Sequence, residues 1–145
     1  MNRRLTVAVV LLATSWAVAS KDLSLQELEA KAEAARPEDR PQLYVEIAER
    51  QLGAASESYK TGEVEKAREA VNDIVLYSGK ARDASIQSGK KLKNTEISVR
   101  KMALKLRDLR RTLNFEEQAP VEAAADQLES IRSELLAHMF SKGKR

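Results

Sequence analysis

The chain has no cysteine among its 145 residues, so it holds neither a disulfide framework nor a thiolate metal site. Glycine occurs five times, proline three times, and aromatics make up 4%. Strands need runs of Val, Ile, Thr and aromatics bounded by turn residues, and none stands out after residue 20. There is one histidine and no glycine-rich phosphate loop. What remains is Ala, Leu, Glu, Lys and Arg, the residues that favour helices. The length suits one domain.

The first nineteen residues differ from the rest. MNRR carries two arginines, LTVAVVLLA is an apolar run, and Ala17-Val18-Ala19 spaces small residues two apart. This is the layout of a cleavable signal peptide, with cleavage expected after Ala19. An uncleaved anchor is the other reading, but the run is short against the ~20 residues a span needs. The adjacent arginines lack the longer twin-arginine pattern, so the general secretion route and a periplasmic location are expected. Removal of Arg3 and Arg4 takes the net charge from +3 to +1.

Residues 20–38 are read as a short helical arm. Ser24 and Glu27 have capping-box spacing, and Leu25, Leu28, Ala32 and Ala35 form a thin apolar face. RPEDRP then interrupts the helix. Residues 39–140 are read as an antiparallel up-down bundle of about four long helices. The first runs from about Pro41 to Lys60, with Asp39 as its cap. The second starts after Gly62 and continues to about Ser88. The third begins at Lys90, Asn94 or Thr95 and carries the seam Val99, Met102, Leu106, Leu109 and Leu113. The fourth opens at Pro120. Residues 141–145 are expected to be a disordered tail. Gly89 decides the shape: without a turn there, two helices fuse into one long rod.

Residues 43–71, LYVEIAERQLGAASESYKTGEVEKAREAV, resemble a tetratricopeptide-type unit. Gly62, Glu63 and Ala67 match that family's turn and second-helix alanine. Tyr59 stands one place from the usual aromatic, no proline closes the unit, and no second copy follows. The resemblance implies a helical hairpin and no functional residues.

Charge is unevenly spread. Residues 80–111 carry net +8, residues 20–79 net −5 and residues 112–145 net −2. One reading is internal complementarity, a basic helix lying between acidic neighbours. The other is an anion-binding surface formed by Lys93, Arg100 and Arg107, seven residues apart, with Arg110 and Arg111 nearby. Nucleic acid is a poor candidate because the basic region lacks aromatics for base stacking. Ile97 and Leu104 fall opposite the seam, so this helix has two apolar faces. Either the N-terminal arm covers the second face, or it docks a partner or another copy of the chain.

No residue set indicates catalysis. His138 has Glu134 one turn before it, but no nucleophile is marked. A di-metal bundle site needs Glu-x-x-His motifs, which are absent. Haem ligation by His138 with Met139 or Met102 competes with core packing of both methionines. The expected function is that of an exported, non-enzymatic adaptor or scaffold, without cofactor or small-molecule substrate. It acts on a protein partner or on itself through helix faces, or on an anionic envelope lipid or polymer through helix 90–113.

Overall fold

The structure is a computed structural model that describes residues 23–142. The expected signal peptide lies outside these residues. Among the described residues the fold is entirely helical, as expected: α1 (Leu25–Ala34), α2 (Arg40–Lys60), α3 (Val64–Ser88), α4 (Leu92–Arg111) and α5 (Phe115–Lys142). None of these helices is long and apolar enough to cross a membrane.

Local chemistry sets most of the boundaries. Ser24 Oγ accepts the Glu27 N–H at 3.1 Å, satisfying one donor at the start of α1. Asp39 precedes α2 but does not cap it; its carboxylate accepts from Arg36 Nε at 2.9 Å instead. Gly62 ends the next turn with φ +77°. The chain turns at Gly89, φ +67°, so α3 and α4 are separate helices and not a rod.

Three expected boundaries move. Neither Asn94 nor Thr95 caps α4, which starts at Leu92 after Lys91. The Thr95 hydroxyl is committed elsewhere, 2.7 Å from Ser85 Oγ in a buried pair. The last helix opens at Phe115, not Pro120. Glu116 and Glu117 favour its first turn through the helix dipole. Pro120 is tolerated one turn in because its exposed position leaves the unpaired Glu116 carbonyl to water. Ser141 and Lys142 continue that helix instead of starting a tail.

Lys91 also sits at φ +61°, a left-handed conformation that strains any residue with a Cβ. Lys91→Gly is therefore expected to raise stability by about 0.5–1 kcal/mol, after the entropy that glycine adds to the unfolded chain. Urea unfolding of the two proteins would check it; a lower midpoint for the variant would contradict the strain.

Helix directions alternate along the chain. The helices form two hairpins, α2/α3 and α4/α5, lying side by side and running the same way. Arg68 meets Glu117 near the starts of α3 and α5, and Arg82 meets Glu134 near their ends. Likewise Gln42 and Val45 face Lys91 and Asn94, while Ser56 and Tyr59 face Asp108 and Thr112. The core between the hairpins is built from Ile47, Ile74, Val99, Met102, Leu106, Leu128 and Leu135. Small residues at Ala48, Ala55, Ala67, Ala81, Ala124 and Ala125 let the helices approach closely.

α1 packs on α2, burying Leu28 and Ala32. A polar cluster fastens it further. Tyr44 and Tyr77 stack at 6.3 Å, and Lys80 lies over both rings. The Tyr44 hydroxyl donates to Glu33 at 2.9 Å, and Lys80 pairs with Glu29 at 3.4 Å.

Candidate functional site

The basic helix α4 leans on the acidic face of α5. Arg110 Nε is 3.0 Å from Glu122, and Arg107 reaches both Asp126 and Glu129 at 3.4 and 3.3 Å. Glu96 on α4 is only 6% exposed and is held by Arg132 at 2.8 Å and Arg100 at 3.4 Å. Arg132 also touches Glu129, so one ionic ladder links Asp126, Arg107, Glu129, Arg132, Glu96 and Arg100. The carboxylate of Glu96 raises the pKa of the Arg132 guanidinium.

This geometry places each charge read from the sequence. Arg100, Arg107 and Arg110 face acids of their own fold. Arg111 pairs with Asp108 at 3.5 Å, but both are well exposed and the pair adds little. Among the described residues Lys93 makes no ion pair, and it is exposed. The row Lys93–Arg100–Arg107 is therefore divided: its two arginines are engaged within the bundle, and its lysine is not.

The second apolar face of α4 is not touched by α1. The arm covers the α2/α3 hairpin, so it does not shield Ile97 or Leu104. Leu104 is 54% exposed and Ile97 half-buried. The antiparallel register set by Arg110–Glu122 and Arg132–Glu96 brings Ile97 about level with residues 131–135.

One apolar concavity was not legible in the sequence. It is an open groove of about 650 Å³ between α2 and α4, lined by Leu52, Gly53, Ser56, Tyr59, Leu109 and Leu113. Glu49, Lys60, Lys105 and Asp108 form its rim. A shallower crease continues it past Glu49 toward Val45 and Asn94. Leu109 and Leu113 follow the α4 seam, yet both stay half-buried because the groove opens beside them. The opening comes from small residues on α2: a Cβ built at Gly53 would meet no atom within 4 Å. Tyr59 contributes its ring, while its hydroxyl is buried without a hydrogen-bond partner; burial raises its pKa. Gly53 was the available signal, a glycine in a helix interior with no turn to explain it.

The residues weighed for chemistry are dispersed or committed. Glu134 pairs with Arg82 at 3.3 Å and not with His138. Met102 is buried in the core, and Met139 is half-buried. Among the described residues no three His, Cys, Asp or Glu gather where they could hold a metal ion. No protein-family model matches this chain, and neither does any curated protein or solved structure.

Proposed function

We propose that the protein is an exported, non-enzymatic adaptor that holds an amphipathic helix of a partner protein along the α2/α4 groove. The observation that carries this reading is the groove itself: an apolar trough beside a helix-interior glycine that its own fold does not require. Glycine at position 53 costs about 1 kcal/mol of helix stability relative to alanine. Nothing in the bundle offsets that cost, since a side chain there would meet open space.

The geometry suits a helix. The trough runs between two parallel helices from Val45 to Tyr59, about 20 Å at 1.5 Å per residue. Its floor is aliphatic and aromatic, which matches two or three apolar anchors of an amphipathic helix. The rim carries two acids and two lysines, so attraction rests on apolar burial and not on one sign of charge. Leu104 offers a second contact on another face of α4. Export rests on the N-terminal pattern of charge, apolar run and small residues.

The test is to fill the trough. A photo-crosslinker at Ser56 is expected to give one discrete product in cells. Gly53→Leu is expected to abolish that product while keeping or raising the melting temperature, since leucine is the better helix former. Moderate salt is expected to leave the product unchanged. A product that persists when the groove is filled would overturn the reading, as would no discrete product at all.

A further inference from the structure

We infer that the bundle end formed by the α3–α4 turn and the C-terminus of α5 is a contact for an anionic lipid bilayer, with Phe140 as the side chain that enters it. This surface meets the far end of the crease only at Lys91; Lys90, Lys93, Phe140 and Lys142 lie outside it, so variants at those four test this reading and not the groove.

Three elements bring lysines together there. Lys90 and Lys91 lie in the turn, Lys93 in the first turn of α4, and Lys142 is the last described residue of α5. The elements touch: a Cβ built at Gly89 would lie 2.9 Å from Lys142 Nζ. All four lysines are exposed, and among the described residues none makes an ion pair. This contrasts with Arg100, Arg107 and Arg110 farther along α4, which face acids.

The parallel arrangement of the hairpins brings the start of α2 to the same end. Its charges are Arg36, Glu38, Asp39 and Arg40. Arg36 satisfies both acids, and Arg40 donates to the carbonyls of Ala35 and Glu33. None of these groups neutralises the lysines. At the opposite end, charges of both signs offset one another: Lys66 pairs with Glu63, and Arg68 with Glu65 and Glu117. An anionic surface would meet the four lysines at the α3–α4 turn end.

Phe140 supplies what lysines alone lack. Its side chain is 70% exposed, less than one turn before Lys142. The α4/α5 register puts Lys93 about level with residues 135–139, the stretch just before Phe140. An exposed aromatic at the same bundle end as the lysines combines attraction to anionic headgroups with an apolar group that enters the interface. Phe115 is more exposed, at 87%, but sits at the opposite end, where Lys66 and Arg68 are engaged by Glu63, Glu65 and Glu117. One aromatic does not make a stacking platform for nucleic acid.

The test is sedimentation of the protein, as recovered from cells, with vesicles of mixed phosphatidylglycerol and phosphatidylcholine or of phosphatidylcholine alone. Binding to the anionic vesicles is expected, falling roughly fivefold for each of Lys90→Gln, Lys93→Gln and Lys142→Gln. Added salt and Phe140→Ser are each expected to weaken it. Lys60→Gln and Lys105→Gln, on the groove rim, are expected to change binding little. These side chains are exposed, so unchanged circular dichroism would separate loss of contact from loss of fold. Equal binding to neutral vesicles would overturn the inference, as would retention by the triple lysine variant. Binding to soluble polyphosphate as tight as to vesicles, and indifferent to Phe140→Ser, would also overturn it, because it would make the site a polyanion contact.

Discussion

Arg100→Met combined with Arg132→Met will unfold the protein roughly 10 °C below the wild type, and adding Glu96→Leu will recover most of that loss. Glu96 is 6% exposed, and those two arginines are its only ion-pair partners among the described residues. Removing both leaves a buried carboxylate uncompensated, which costs about 3 kcal/mol. For a domain of this size each kcal/mol moves the melting temperature by roughly 4 °C. Replacing the acid with leucine removes the stranded charge and leaves an apolar side chain in an apolar setting. The order of the three proteins in a thermal melt is the decisive reading. If the triple variant were no more stable than the double, the unpaired Glu96 carboxylate would not be the source of the loss and this account would fail.

The second large effect is an alkaline transition. Tyr44 and Tyr77 both have their pKa pushed up to about 12. Burial is the main cause for each, followed by hydrogen bonding to Glu33 for Tyr44 and to Glu29 for Tyr77. In the unfolded chain both would ionise near the ordinary tyrosine value of about 10. The folded state therefore favours the neutral phenol, and this contribution is complete below about pH 10. It is lost as the pH rises through about 12. The melting temperature is expected to be insensitive to tyrosine ionisation below that window and to fall steeply within it. Phenolate absorbance and loss of helical dichroism should rise together, because ionising either ring disrupts the stack that holds α1 on α2 and α3. Tyr44→Phe removes one titrating group and should make the fall shallower. Phenolate appearing near pH 10 with full helicity retained would refute the coupling.

Much of the helical organisation was legible because its causes are local. The Ser24 cap depends on residues three apart, and Gly62 and Gly89 mark positions where the backbone needs positive φ. The seam Val99, Met102, Leu106 was identified as core from spacing alone, and all three are buried. The misplaced boundaries have non-local causes. Thr95 looks like a cap in sequence, but its hydroxyl is held by Ser85 on the preceding helix. Pro120 looks like a helix start, but the chain ahead of it already satisfies the helix entry, with the Asn114 carbonyl accepting from Glu117 N–H at 2.9 Å.

The candidate sites were legible to different degrees. Excess positive charge on α4 and negative charge on its neighbours was visible, but which arginine meets which acid required the α4/α5 register. Leu104 was visible as an apolar residue off the seam. That it stays bare follows from α1 docking on the other hairpin. Leu109 and Leu113 are indistinguishable from core leucines in sequence. They line a groove because Gly53 and Ser56 of a distant helix lie opposite them.

The sequence by itself determined the all-helical class and the amphipathic face of each long helix, because propensity and 3.6-residue periodicity act within a few residues; that the chain turns at Gly89 was decided by the structure. Only the tertiary structure decided that α2 lies beside α4 and α3 beside α5. Periodicity reports how much of a helix is covered and not by what. The groove comes from that pairing, and the ionic ladder from the register of α4 on α5.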